Sequence, residues 1–106
     1  MTYRLFIDDL RQAPDDSWVV ARSSDEALSI IAERGCPREI SFDHDLGGHD
    51  TAMIVAKALV EFDLDAGGRY IPPDFDFVVH SSNPVGARNI SGLLQGYLQA
   101  RDERRN

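Results

Sequence analysis

Four short apolar segments recur along the chain, and each is nearly continuous rather than alternating with polar residues. They comprise Tyr3–Ile7, Trp18–Ala21, Glu39–Phe42 and Phe75–Val79. Runs of this kind, rich in Val, Ile and Phe, are typical of strands in a parallel sheet whose two faces are both covered. The pattern therefore predicts about four buried strands in a mainly parallel sheet.

Each of the last three segments is followed by apolar residues at helical spacing. The first helix is predicted to start after Ser23, with Glu26 completing a capping box, and to end at Gly35. The second helix ends before Gly67, and Asp50, in the loop before it, is a plausible cap.

A third helix is predicted to start at Asn83, a good capping residue that is followed by proline. Alternating strands and helices favour right-handed crossovers and a parallel sheet with helices on both faces. Segment 8–17 contains a proline and paired acids, so we expect a loop or a single turn there. These features predict a single three-layer α/β domain over residues 1–100, followed by a fraying polar tail over residues 101–106.

Composition and charge narrow the classes of protein. The chain is 42% hydrophobic and 27% charged, which disfavours disorder, and its net charge of −7 disfavours bulk binding to DNA or membranes. No segment resembles a signal peptide or a membrane-spanning run of roughly 20 apolar residues. The single cysteine, Cys36, allows no internal disulfide and fits a reducing compartment, so we expect a cytoplasmic location.

Polar side chains follow three of the four predicted strands, at the point where each strand ends. They are Asp8 and Asp9, then Asp43, His44 and Asp45, then His80, Ser81 and Asn83. In open parallel sheets, ligands bind outside the carboxyl ends of the strands. We therefore expect these side chains to meet at one edge of the sheet.

The carboxylates in this set predict a divalent cation. Crowded carboxylates repel one another unless a cation sits among them, and hard oxygen ligands favour Mg²⁺, Mn²⁺ or Ca²⁺. Each aspartate alone has a structural alternative, because Asp is also a common cap and turn residue. As a set, Asp8, Asp9, Asp43 and Asp45 are predicted to hold Mg²⁺ or Mn²⁺.

The start of the third helix predicts a place for phosphate. Its free N–H groups and dipole attract anions, and Gly86 in the first turn would allow close approach. A phosphate there would meet His80 as acid or base and Ser81 as a donor, although His80 could instead be structural. Arg11 could grip the phosphate with its planar fork, and His44 is a further candidate.

Some of these motifs resemble response-regulator receiver domains. Leu5–Asp9 is similar to the acidic end of their first strand, and Ile40–Asp43 is similar to the third, which ends in the phospho-accepting aspartate. The more specific resemblance, over residues 3–98, is to a divergent family, the cyclic-phosphate processing receiver domain. The motifs that carry it are Asp8–Arg11, Ser41–Gly47 and His80–Gly86 with Asn89.

This resemblance implies a receiver-like, flavodoxin-like fold and a metal-dependent phosphoesterase activity on cyclic phosphates, at RNA ends or in small nucleotides. It implies that Asp8–Asp9 and Asp43 hold the metal, and that His80 and Asn83 contact phosphate. Ordinary receivers grip the phosphoryl group with a lysine after strand five. Here the only lysine is Lys57, within the second helix, and strand five is expected to be missing. A conventional phosphoaspartate switch is therefore not expected.

Three functions are open at this point. The first is an enzyme that uses Mg²⁺ or Mn²⁺, with Asp43 and His80 as catalytic residues. The second is a non-catalytic module that binds a nucleotide or a protein partner through the acidic edge, and the third is a degenerate receiver used in protein interactions. The expected partner is a phosphate-containing small molecule or an RNA end, and a homodimer is an open alternative.

Overall fold

A computed structural model describes residues 2–105 and shows a receiver-like α/β fold. Its parallel strands are β1 (Arg4–Ile7), β2 (Trp18–Ala21), β3 (Glu39–Phe42) and β4 (Asp76–Val79), in the spatial order β2-β1-β3-β4. Its helices are α1 (Ser24–Arg34), α2 (Met53–Asp65) and α3 (Pro84–Arg105). The predicted parallel sheet of four strands is confirmed, with two of the strands starting one residue later than expected.

The three helices share one face of the sheet, so the expected third layer is absent from residues 2–105. A single core cluster joins inward-facing residues of the strands to residues of all three helices: Leu5, Ile7, Ile40, Phe42, Ile31, Leu59 and Leu94. The steps from β2 to β3 and from β3 to β4 advance in the same direction, so right-handed connections place their helices on one face. Only the step from β1 to β2 runs the other way, and it is a loop.

The second face of the sheet is covered by its own side chains instead of a helix. Phe6 is almost fully buried there, edge-on to Trp18 at 6.1 Å and stacked on His80 at 4.7 Å between ring centroids. The Arg4 guanidinium lies 4.4 Å from the Trp18 ring centroid and 3.7 Å from a carboxylate oxygen of Glu39. This aromatic and charged layer shields Phe6 where a helix would otherwise pack.

The helix caps follow the sequence with two corrections. Ser23 accepts the N–H of Glu26 at 3.1 Å as predicted, but the Glu26 carboxylate accepts the N–H of Arg22 at 2.5 Å, one residue earlier than a capping box requires. Asp50 does not cap α2, which has no side-chain cap. Its carboxylate instead accepts the N–H of Ser24 at 2.9 Å and the hydroxyl at 2.5 Å, which ties the loop before α2 to α1.

The polar segment at the end of the chain belongs to α3 through residue 105, so the predicted fraying tail is wrong for residues 101–105. Arg101 is only 3% exposed, and its guanidinium donates to the carbonyl of Ile71 at 2.8 Å. It also lies 3.4 Å from the carboxylate of Asp63. Composition alone could not reveal that one of these polar residues forms a buried ion pair. Asn106 lies outside the described residues.

Asp63 is fully buried, and it is the centre of a cluster of polar contacts around Arg101 that we call the anchor. Its carboxylate accepts the Tyr97 hydroxyl at 2.5 Å and the N–H groups of Tyr70 and Ile71 at 2.9 Å and 2.7 Å. Burial raises the pKa of Asp63, but these hydrogen bonds and the charge of Arg101 outweigh it and hold the pKa below its usual value. The anchor therefore fixes the C-terminal half of α3 to the end of α2.

Replacing Asp63 by asparagine should lower the free energy of unfolding by up to roughly 3–5 kcal/mol, because the buried charge of Arg101 would keep only the Ile71 carbonyl and the exposed Asp102 carboxylate as partners. A carboxyl with a depressed pKa stabilises the fold above its unfolded pKa, and that contribution is lost as pH falls through the folded value. In urea denaturation the difference from wild type should therefore stay constant from about pH 7 to about pH 5 and shrink as the pH falls below about 4, through the unfolded and then the folded pKa.

The control for this change is Asp65→Asn, at an exposed position of the same helix. It should alter stability by no more than about 0.5 kcal/mol. Equal effects of the two substitutions at neutral pH would contradict the role given to Asp63.

Candidate metal and phosphate site

Three carboxylates meet where β1 and β3 end. Ile7 pairs with Phe42 in the sheet, so the residues that follow, Asp8 and Asp43, emerge side by side. With Asp9 they offer carboxylate oxygens that all lie within 4.8 Å of one another. Asp8 is 1% exposed and Asp43 8% exposed, yet both line a cavity of about 360 Å³.

Asp8 is held rigidly at this edge. Its Oδ1 accepts the N–H groups of Leu10 at 2.9 Å and Arg11 at 2.8 Å, and its Oδ2 bonds Nε2 of His80 at 2.8 Å. Burial raises the pKa of Asp8, but the hydrogen bonds from Arg11, Leu10 and His80 together bring it below its usual value. Asp8 therefore stays ionised in spite of its burial.

For Asp43, the effects that raise the pKa outweigh those that lower it. Burial and the neighbouring charge of Asp8 raise its pKa, and the Ser81 hydroxyl, His80 and Arg11 offset this only in part. The two carboxylates thus differ in how readily they ionise. A cation between them would favour the ionised form of both, because it replaces repulsion with attraction.

The donor set fits a divalent cation. Asp8, Asp9 and Asp43 supply hard carboxylate oxygens, the ligands that Mg²⁺ and Mn²⁺ prefer. Asp45, the fourth predicted ligand, lines the same cavity but is not a member of the cluster. Its carboxylate bonds Nδ1 of His44 at 2.9 Å and accepts from the Asn83 amide at 3.2 Å.

Gly86 allows a close approach, as the sequence suggested, but the group that approaches is the ring of His44. A Cβ atom at position 86 would lie 2.3 Å from the ring carbon Cγ. Asn83 is the predicted cap, accepting the N–H of Gly86 at 3.0 Å, and the Ser81 hydroxyl accepts the N–H of Asn83 at 3.0 Å. These predicted phosphate ligands therefore also organise the first turn of α3.

Arg11 and His80, which are far apart in sequence, both lie beside the acidic cluster. Arg11 is half-exposed, lines the cavity, and lies 3.6 Å from Asp8 while donating to the carbonyl oxygen of His80 at 3.0 Å.

Sequence reasoning missed Ser41, whose Oγ lies 2.7 Å from Nδ1 of His80. A polar residue inside an apolar strand, two positions before Asp43, was the available signal. It also missed three residues that line the cavity: Leu10, Gly47 and Ser82.

Four parallel strands with an acidic carboxyl edge define a receiver-like α/β protein. The family model of the cyclic-phosphate processing receiver domain matches residues 3–96, and the chain belongs to that family, as the motifs predicted. No match was found among curated proteins or among solved structures. Within residues 2–105, no helix has the length and apolar character needed to cross a membrane.

Gly86→Ala tests the contact between α3 and His44. The added methyl group should destabilise the fold by about 1–3 kcal/mol, because it overlaps an imidazole ring that is held by Asp45. The matched control is Gly92→Ala in the same helix, where nothing lies within 4 Å of the added carbon. That change should stabilise the protein by about 0.5–1 kcal/mol through helix propensity. Thermal unfolding that shifts both variants in the same direction would refute this packing argument.

Proposed function

We propose that this domain is a divalent-metal-dependent phosphoesterase that opens cyclic phosphates, at RNA ends or in small nucleotides. The observation that carries the proposal is the cluster of Asp8, Asp9 and Asp43, with oxygens within 4.8 Å of one another at the ends of two strands. Membership of the cyclic-phosphate processing receiver family supports the substrate class. The missing lysine of ordinary receivers argues against phosphoaspartate signalling.

Asp8, Asp9 and Asp43 would hold Mg²⁺ or Mn²⁺. When bound, such an ion supplies charge for the phosphate oxygens and lowers the pKa of a coordinated water. Arg11 borders the same cavity and gives one N–H to the carbonyl of His80, which leaves further guanidinium donors for the phosphate. The chain thus offers a guanidinium for the phosphate beside the carboxylates for the cation.

His80 is the proposed acid–base group, but both of its ring nitrogens already have partners. Nε2 lies 2.8 Å from Asp8 and Nδ1 lies 2.7 Å from Ser41. His80 can exchange a proton with a substrate only if one of these bonds opens. The contacts therefore favour a role in which His80 holds Asp8 in place. Proton exchange with the substrate is a second role, which the variants below test separately.

The same observation favours a second candidate function, a non-catalytic module that binds a nucleotide through the acidic edge. Such a module needs the metal cluster and Arg11 but no free general acid. Binding of a cyclic nucleotide without turnover would identify this alternative.

Metal binding is the first consequence of the proposal. Mg²⁺ or Mn²⁺ should bind at millimolar concentration or below, and a ligand at 100 times its dissociation constant should add about 2.7 kcal/mol of stability. The double variant Asp9→Asn with Asp43→Asn should not bind, and its metal-free form should gain stability because like charges are removed. Asp45→Asn is the matched control and should bind normally, since Asp45 lies outside the cluster. Calorimetry without heat of binding for the wild type would refute the site.

Turnover is the second consequence, measured as release of a phosphomonoester from a panel of 2′,3′-cyclic nucleotides with Mn²⁺ or Mg²⁺. Asp43→Asn should abolish it. His80→Ala should lower kcat by about 10²–10⁴-fold if His80 exchanges a proton with the substrate. His80→Gln can still donate to Asp8, so full activity in that variant would leave His80 only the task of holding Asp8. A wild-type protein inactive on the whole panel would contradict the enzymatic proposal.

A further inference from the structure

We propose that Ser41 is a positioning residue of the metal site and acts through His80 on Asp8. This inference rests on the proposed metal-dependent function and adds a residue to it. The three side chains form a continuous hydrogen-bonded chain. Oγ of Ser41 lies 2.7 Å from Nδ1 of His80, and Nε2 of His80 lies 2.8 Å from Oδ2 of Asp8.

The sheet register brings these residues together. Ser41 pairs with Phe6 on one side and with Val78 on the other, across the three adjacent strands β1, β3 and β4. Asp8 and His80 each come two residues after these partners, and alternate residues of a strand point to the same face. All three polar groups therefore lie on the face that carries no helix, where no helical side chain separates them.

The bonds around Asp8 define which ring nitrogen of His80 carries the proton. Oδ1 of Asp8 accepts two backbone N–H groups, from Leu10 and Arg11, as an ionised carboxylate does. Nε2 of His80 must then be the donor to Oδ2. In the neutral ring Nδ1 is consequently an acceptor, and the hydroxyl of Ser41 donates to it. Asp8 thereby sets the tautomer, and the Ser41 hydroxyl, which can donate or accept, holds Nδ1 and with it the orientation of the ring.

The ring has little freedom to adopt another arrangement. Phe6 stacks on it with an angle of 4° between the ring planes, and Ser41 itself is only 6% exposed. Among residues 2–105, Ser41 supplies the hydrogen bond to Nδ1. Loss of its hydroxyl would leave Nδ1 without that bond, so the ring would be held in line with Asp8 only by the Phe6 stack and by the bond from Nε2 to Asp8 itself.

This matters for metal binding because hydrogen bonds to a ligating carboxylate fix its orientation and charge. Removing such an outer partner typically lowers metal affinity or activity by about 10–100-fold. Because Ser41 reaches Asp8 only through His80, we expect from Ser41→Ala a loss at the lower end of that range, up to about 10-fold.

The test compares Ser41→Ala with Ser41→Thr, which keeps the hydroxyl, and with Ser29→Ala, a control at an exposed position of α1. Two quantities are measured: the affinity for Mn²⁺ by calorimetry, and the ¹⁵N chemical shifts of the two His80 ring nitrogens, which report their hydrogen bonds, by NMR of the metal-free protein. We expect Ser41→Ala to bind Mn²⁺ more weakly, by up to about 10-fold, and to change the ¹⁵N shift of Nδ1 because its hydrogen bond is lost. Ser41→Thr should restore both properties, and Ser29→Ala should change neither.

The outcomes separate this inference from the function on which it rests. A cavity left by the lost hydroxyl could lower stability, but it would not weaken Mn²⁺ binding at a temperature where every variant is folded. Normal Mn²⁺ binding in Ser41→Ala, or weak binding that Ser41→Thr fails to restore, would overturn the inference alone. A wild-type protein that binds no Mn²⁺ would overturn the proposed function and the inference together.

Discussion

The electrostatic repulsion between Asp8 and Asp43 is the constraint on which the functional edge depends. Parallel pairing of β1 with β3 brings both carboxylates to the same level of the sheet, and both are more than nine-tenths buried. Backbone N–H groups and His80 keep Asp8 ionised, whereas burial and the charge of Asp8 raise the pKa of Asp43. An edge arranged in this way is energetically unfavourable unless a cation or a proton is present, and that imbalance is the physical basis for the proposed metal site.

The topology explains how this edge stays accessible to a ligand. All three helices pack on one face, because the only strand connection that would place a helix on the other face is the loop after β1. That loop begins with Asp8 and Asp9 and carries Arg11, so the same segment that leaves one face without a helix also supplies half of the site. Side chains of the sheet, including Phe6 and Trp18, shield the second face and hold His80 in place.

The sequence predicted the structure well at positions where the residue type strongly favours one local structure. Apolar runs located the four strands, Ser23 and Asn83 marked helix starts, and polar residues at strand ends identified the acidic edge. The sequence did not predict the hydrogen-bond or ion-pair partner of a side chain that has several possible partners. Asp50 bonds Ser24 of α1 instead of capping α2, Asp45 bonds Asn83 and His44, and Arg101 forms a buried ion pair within a segment that was predicted to be a polar tail. Most of these contacts join residues that are 26 to 38 positions apart, and local sequence patterns do not encode such contacts. The bond between Asp45 and His44 joins adjacent residues, but the sequence does not show which neighbour a side chain will bond.

The most direct test of a cation site at this edge is a titration of the Asp43 carboxyl followed by ¹³C NMR, with and without Mg²⁺. In the metal-free protein its pKa should lie above the ordinary value of about 3.9, because of burial and the charge of Asp8. Saturating Mg²⁺ should bring the pKa well below that value, since the cation favours the ionised form. A pKa of Asp43 that Mg²⁺ leaves unchanged would contradict the assignment of these carboxylates to a metal site.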